Sequence, residues 1–397
     1  VNEKRPIRAG LTAVLFLLAL AGGTLFWLWG ARDDLGALTW ETVKTLPAQG
    51  EEIVNDCLDR DHTFIQLYGG VQRLLGRRVL RDVDETYTVY QLSDGALTFV
   101  NPAPAACLED NAAAYLAFQD ALEARGIPLL YLQAPQKIDE SGAGLPAGVT
   151  DYGNANADGF LALLRQGGGS WLDLRQVLTQ DGQPWTSYFY ATDHHWKPET
   201  ALLCAGAVAE YLNEQGGLDL DASLLDPDRY TAQTYDDLFL GSQGKRVGTL
   251  YAGLDDFTVW TPKFATDFTY TTPYEVRQGA FQDALLFPER LEETDPFQAN
   301  PYTLYAGGDY ASACITNRAD PSGPRVLLLR DSFGCAFTPF FALACSQLTT
   351  VDLRYFDGDL LSLVDETAPD YVLVLYSPGA LKTTAAFPLA QFGIGNS

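Results

Sequence analysis

A chain of 397 residues that is 47% hydrophobic and 12% aromatic has enough apolar side chain to bury a large core, which excludes a disordered polypeptide. Its 51 acidic residues against 26 basic ones leave a formal net charge of -25. Such a field repels nucleic-acid phosphates and anionic lipid headgroups, so the composition excludes nucleic acid as a partner of the globular part.

At the N-terminal end, Lys4, Arg5 and Arg8 precede an uncharged run from Leu11 to Gly30, with Trp27 and Trp29 near its far end. About twenty helical residues at 1.5 Å rise span roughly 30 Å, the thickness of a hydrocarbon core. Basic residues before the run and Asp33-Asp34 after it predict a cytoplasmic N-terminus and an exported remainder. A cleaved signal peptide competes with this reading. No convincing small-x-small cleavage site follows the run, and its tryptophans fit an interfacial belt, so an uncleaved single-pass anchor is expected. The division that follows is residues 1–34 as cytoplasmic end and anchor and 35–397 as one extracytoplasmic domain.

Leu35 to Leu80 has a largely helical pattern. Tyr87–Leu92 and Ala96–Val100 are β-rich runs around Ser93-Asp94-Gly95, a hairpin signal. Leu108–Arg125 has helical spacing with Gly126 as its stop, and Ile127–Leu132 is a buried-strand pattern. A helix near Ala157–Arg165 and a strand at Trp171–Leu174 follow. Pro198 then opens a helix running to about Leu212. The stretch around 218–310 has weaker periodicity, with strand candidates at Phe257–Trp260 and Phe268–Thr272, and is expected to be a β-rich insertion. From Val326 onward strand and helix alternate again: Val326–Leu329, Cys335–Ser346, Leu348–Asp352, Leu360–Glu366 and Tyr371–Tyr376. This alternation predicts a parallel sheet covered by helices, with ligands at the carboxyl ends of its strands. The six scattered cysteines include no Cys-x-x-Cys and so do not suggest zinc; their disulfide pairing is open.

Only three histidines occur, and two of them stand in Thr192-Asp193-His194-His195-Trp196. Far downstream, Arg330-Asp331-Ser332-Phe333-Gly334 follows the apolar strand pattern directly, the strand–turn–helix arrangement that presents a nucleophilic hydroxyl. A serine hydroxyl needs a base, and His195, two residues after Asp193, can be that base with Asp193 orienting it. A different carboxylate could fill the orienting role, and Ser332 or Asp331 could merely cap the next helix. Free N–H groups at the start of that helix, Gly334 included, are oxyanion candidates. Arg354 and Tyr355 at a strand end, and Arg246 after the Gly241–Gly244 loop, could stabilise negative charge or form structural ion pairs. His194 is either a second functional group or, with Asp193 and His195, a metal ligand; no third His/Cys cluster supports the metal. Trp196 is expected to pack the motif in place.

The motifs TDHHW, Gly241 to Val247 (GSQGKRV), Asp255-Asp256-Phe257, RDSFG and Asp352 to Tyr355 (DLRY) together resemble the DHHW protein family. That family is similar to the SGNH-hydrolase-like proteins of the alginate O-acetyltransferase group. Matched residue by residue, the resemblance implies Asp193 and His195 as the dyad, Trp196 as the motif's tryptophan and Ser332 as the nucleophile. It also implies a three-layer α/β/α core with a parallel sheet, preceded here by the N-terminal transmembrane helix. The sequence departs from the group in having Arg-Asp-Ser where typical SGNH enzymes have Gly-Asp-Ser, so the oxyanion donors are not carried over. The expected function is an O-acyltransferase or esterase acting on a cell-envelope polysaccharide through an acyl-serine, with no metal or organic cofactor. Transfer would require a membrane partner that exports the acyl group. The competing class is a non-catalytic envelope protein that binds glycan in the same cleft.

Overall fold

Arg325–Arg330 (RVLLLR) is apolar on both faces because it lies at the centre of a sheet covered on both sides. Val326 and Leu328 join one core and Leu327 and Leu329 the other, as the two-residue period of a strand requires. The computed structural model describes residues 62–81 and 87–392, with a few positions between 14 and 25. No helix among the described residues is long and apolar enough to cross a membrane. The anchor expected over Leu11–Gly30, the helical pattern before residue 62 and Cys57 lie wholly or largely outside the described residues.

With single-turn helices left unnumbered, the chain runs α1 (Thr63–Leu74), β1 (Val79–Arg81), β2 (Thr88–Gln91), β3 (Leu97–Thr98), α2 (Leu108–Glu123), β4 (Leu129–Gln133), α3 (Gly153–Gln166), β5 (Trp171–Asp173), α4 (Leu174–Asp181) and α5 (Pro198–Glu214). It continues through β6 (Tyr230–Phe239), β7 (Asp255–Pro262), β8 (Phe268–Thr271), β9 (Val276–Gly279), β10 (Ser312–Asn317), β11 (Arg325–Arg330), α6 (Gly334–Phe341), β12 (Gln347–Val351), α7 (Leu360–Thr367) and β13 (Tyr371–Tyr376). The main sheet has the order β5-β4-β13-β11-β12-β10-β8-β9. Its first five strands are mutually parallel, and β10, β8 and β9 extend it antiparallel. Helices α2, α3 and α7 bury residues such as Phe118, Phe160 and Val364 on one face, and α4, α5 and α6 cover the other with Leu178, Val208 and Phe337. The layers and the parallel core are those expected from the sequence.

Two features differ from the expected outline. Leu80, inside the pattern taken as helical, is the buried residue of β1, which pairs with β2 in a separate three-stranded sheet β1-β2-β3. The β-rich stretch around 218–310 is split: β6 and β7 form a two-stranded ribbon, whereas β8 and β9 continue the main sheet. Short strands with a single buried position have too little pattern to be seen without their partners.

Leu328, fully buried in the middle of β11, tests how far the sheet's centre carries the fold. Leu328→Ala should lower unfolding free energy by about 2–5 kcal/mol, read as a lower denaturant midpoint at unchanged slope.

Candidate active site

The carboxyl ends of four parallel strands open into one cleft of about 710 Å³. Gln136 and Lys137 follow β4, Ser332 follows β11, Arg354 follows β12 and Ser377 follows β13, and all line it, as the rule for open α/β sheets predicts. The opposite wall is Tyr87, Tyr90 and Phe99 from the small sheet.

The TDHHW segment does not belong to the main sheet. It is a tight reversal closed by a bridge between Phe189 and Trp196, with Lys197 N–H donating to the Tyr188 carbonyl at 2.9 Å. Inside it, His195 Nδ1 lies 2.5 Å from Asp193 Oδ1, and His195 Nε2 lies 2.7 Å from Ser332 Oγ. Asp193 also accepts the His195 backbone N–H at 2.9 Å through Oδ1 and the Ser242 N–H at 2.7 Å through Oδ2. Burial alone would push the Asp193 carboxyl up, but His194, His195 and these hydrogen bonds outweigh it and hold the group well below the usual carboxylate range. An ionised Asp193 keeps the proton on His195 Nδ1 and leaves the Nε2 lone pair facing Ser332. Ser332 therefore does not act as a helix cap: α6 has no side-chain cap, and it is Asp331 Oδ1 that accepts the Phe333 N–H at 3.0 Å.

The other motifs build the socket for this pair. Asp255 accepts the Ala191 and Thr192 N–H groups, both at 2.7 Å, and the Thr192 hydroxyl at 2.6 Å. Gly241 N–H donates to Thr192 Oγ1 at 2.8 Å, and the Gln243 and Gly244 N–H groups donate to the Thr192 carbonyl. A Cβ on Gly241 would stand 2.1 Å from Asp193 Cβ and 2.5 Å from its Cα, so only glycine allows this approach. Trp196, fully buried, donates through Nε1 to the Phe333 carbonyl at 3.0 Å and ties the histidine segment to the serine turn.

The low-specificity candidates separate clearly. Gly334 is not an available oxyanion donor, because its N–H is bonded to the Asp331 carbonyl at 3.0 Å; the position needs glycine because a Cβ would stand 2.1 Å from Arg330 Cδ. The Ser332 N–H, by contrast, makes no hydrogen bond among the described residues. Tyr355 is exposed and is not part of the cleft lining; it lies under the Arg354 guanidinium, 5.5 Å from ring centre to Cζ. Arg354 reaches the cleft but is held by Asp352, at 2.9 Å through Nε, and by Asp309, at 3.0 Å. Arg246 lines the cleft with its guanidinium 3.9 Å above the Tyr87 ring. His194 lines it too, its Nδ1 2.8 Å from Ser242 Oγ and its ring 3.8 Å from that of His195. Burial and the neighbouring His195 lower its pKa, with Asp193 opposing them. Asp193, His194 and His195 lie close enough together to hold an ion, but both nitrogens of His195 and Nδ1 of His194 already face Asp193, Ser332 and Ser242.

Three residues escaped the sequence reading. Tyr302 stacks on the His195 ring at 4.1 Å and donates to the Phe333 carbonyl at 3.3 Å; it sits in a stretch without periodicity and gave no signal. Arg330, 1% exposed, pairs with Asp309 and donates to the Gly308 carbonyl at 2.7 Å, so the arginine that replaces the usual glycine is an internal strut. Lys137 is buried and donates to the Leu97 and Ala191 carbonyls and to Gln243 Oε1, at 2.5, 3.2 and 3.1 Å. A lone lysine just past a strand end was its only sequence signal.

Residues 96–279 match the family model described as the SGNH hydrolase-like domain of the acetyltransferase AlgX. That span holds Asp193 and His195, while Ser332 joins them through the fold. No curated protein matches the chain in sequence. Among solved structures, Bacillus cereus PatB1 superposes with a TM-score of 0.62 at 20% identity, over 78% of this chain and 98% of its own. The same protein with a sulfonyl adduct gives 0.62 at 19%, over 75% and 96%. A DHHW family protein from Eubacterium siraeum gives 0.58 at 17%, over 77% and 95%. At such identities the likeness speaks for the fold.

Two measurements follow from the socket. Gly241→Ala should displace Asp193 and slow modification of Ser332 by a serine-reactive probe on the order of 10²-fold, since a shift of about 1 Å costs that much. The second concerns Lys137, whose ammonium burial lowers to about 8. Between that value and the ordinary lysine range near about 10.4 the unfolded chain binds more protons than the folded one, so this residue's contribution to stability rises with pH there and is flat below. The melting temperature of the wild type, minus that of Lys137→Met, should therefore increase from about pH 8 to about pH 10 in thermal scans. These geometric and family findings agree on one point: the chain is similar to the SGNH hydrolase-like proteins of the alginate O-acetyltransferase group, the resemblance that its TDHHW and RDSFG motifs carry.

Proposed function

We propose that this protein transfers an acyl group, acetyl by its resemblance, between a donor and a cell-envelope polysaccharide through an acyl-serine on Ser332. The continuous line from Ser332 Oγ through His195 to Asp193 carries the reading. In the first half-reaction His195 Nε2 takes the Ser332 proton as Oγ attacks the acyl carbonyl, and Asp193 stabilises the imidazolium without taking its proton. The Ser332 N–H is placed to meet the oxyanion. Collapse returns the proton from His195 to the departing alcohol or thiol of the donor. In the second half-reaction a sugar hydroxyl gives its proton to His195 and attacks the acyl-serine, and the serine leaves protonated; water in place of the sugar makes the same step an esterase reaction.

Substrate class rests on the cleft. Tyr87, Tyr90 and Phe99 offer flat apolar surfaces to sugar rings, and Arg246 and Arg354 bring positive charge to the cleft for hydroxyl or carboxylate groups. In this proposal the domain works outside the cytoplasmic membrane, a reading supported by the apolar run Leu11–Gly30 and its flanking charges, and an acyl-exporting membrane protein is its source of acyl groups. The relative PatB1 bears a sulfonyl adduct, which makes a sulfonyl fluoride the apt probe for this chain's serine.

The test is turnover of an acetylated model ester, with and without sugar acceptors, by the full chain. Ser332→Ala and His195→Ala should each reduce it by roughly 10⁴-fold or more, and the double variant should lose little further, because the groups act as a unit. Asp193→Asn should cost on the order of 10³–10⁴-fold by favouring the wrong tautomer. Equal turnover by wild type and Ser332→Ala overturns the proposal, and glycan binding retained in that case assigns the cleft to recognition alone.

A further inference from the structure

A buried charge ties the loop that carries Asp193 and His195 to the end of β4. Lys137 stands just past that strand and is 3% exposed. An ammonium has three N–H donors and no acceptor. Here each donor meets one oxygen: the Leu97 carbonyl at 2.5 Å, the Ala191 carbonyl at 3.2 Å and Gln243 Oε1 at 3.1 Å. Those oxygens come from three separate segments. Leu97 belongs to β3, in the small sheet that supplies the aromatic wall of the cleft. Ala191 shortly precedes Asp193, and Gln243 follows Ser242, whose N–H Asp193 accepts. The ammonium thus grips the backbone before Asp193 and the loop that answers its carboxylate.

Only the protonated side chain fills this set. A neutral amine has two N–H groups and turns a lone pair toward one of the three oxygens, so one tie is lost. Carbonyl and amide oxygens alone bond the ammonium among the described residues, which is a costly way to bury a charge. An apolar side chain would fill the same space at lower cost, so bulk does not account for a lysine here. We propose that Lys137 is a positioning residue: the proton on its amine holds Asp193 and His195 in register with Ser332, and its loss loosens the pair. The inference deepens the acyl-transfer reading and rests on it for the role of Ser332. Burial pulls this ammonium down to about 8, against Asp193 and Asp255 in the socket and Asp94 in the hairpin, with Lys197 ahead of α5 adding to the fall. His194 faces the same charge. Below about pH 8 all three ties are present, and as pH rises through that value one is lost and Ser332 becomes less reactive. The stability contribution of Lys137 rises over the same range, because there the unfolded chain binds more protons. Reactivity and stability moving in opposite directions separate positioning of the site from plain support of the fold.

The test uses the full chain labelled with ¹⁵N-histidine. Only three histidines occur, so the ring signals are few, and that of His195 is identified by its loss in His195→Gln. From about pH 7 to about pH 9.5 the wild-type His195 signal should shift with a midpoint of about 8. In Lys137→Met it should stand at the shifted position throughout. Modification of Ser332 by phenylmethanesulfonyl fluoride, counted by mass spectrometry and corrected for hydrolysis of the probe, is followed over the same range. It should fall at least roughly tenfold in the wild type and be slow at every pH in Lys137→Met. The wild-type profile decides without any variant: a His195 signal that does not move across the range overturns the proposal. Lys137→Met overturns it too if His195 keeps its wild-type position at about pH 7, or if the transition persists at the same midpoint. If the His195 signal behaves as expected but wild-type Ser332 is never modified, the positioning role stands and the acyl-transfer reading fails.

Discussion

A buried carboxylate governs the arrangement of this site. Asp193 is almost wholly removed from water, and a charge in that position is expensive unless every lone pair is answered. Three N–H groups answer it, two from His195 and one from Ser242, and they come from segments nearly fifty residues apart. Thr192 and Asp255 fix the backbone just before it. Satisfying the charge therefore requires the histidine reversal, the GSQG loop and the first residue of β7 to be assembled together. The orientation of His195 is a consequence of that assembly.

The serine comes from a different part of the molecule. Ser332 is delivered by the central strand of the main sheet, whereas His195 comes from a loop lying over its end. The Phe333 carbonyl joins the halves by accepting from both Trp196 and Tyr302. Tyr302 also covers the face of the His195 ring, so one residue restrains the base and touches the serine turn. A serine on a rigid strand end and a histidine clamped on two sides meet the demand for pre-set geometry better than two mobile loops would.

Beneath the serine turn runs a chain of alternating charge: Arg330, Asp309, Arg354 and Asp352. Burial pushes the Asp309 carboxyl up, and the two arginines outweigh it and hold it low. The arginine at the start of RDSFG is thus spent on structure. Gly334 supports the same arrangement by leaving room for the Arg330 side chain. A pattern that looks like a catalytic variation is a packing solution, and the Ser332 N–H beside it makes no hydrogen bond among the described residues.

Much of this was legible in the linear sequence because its signals are local. Runs such as Val326–Leu329 and Tyr371–Tyr376 bury both faces and show as unbroken apolar stretches, and the helices between them keep a 3.6-residue period, so the parallel core follows from pattern alone. Rare residue types did the rest: two of three histidines in one pentapeptide, and a serine directly past a strand, name Asp193, His195 and Ser332 as partners. What the sequence could not provide depends on contacts between distant segments. Strands β1 and β10 have no distinctive pattern by themselves, because their stability comes from the neighbours they pair with. Gly334 and Tyr355 stood beside the right motifs, yet one has its N–H committed to Asp331 and the other is exposed and does not line the cleft. Tyr302, Arg330 and Lys137 gained their roles only when folding removed them from water and left particular carbonyls, carboxylates and rings within reach. The sequence by itself determined which groups meet at the end of the sheet; tertiary structure decided which backbone and side-chain groups hold them, because those partners exist only once the segments are packed together.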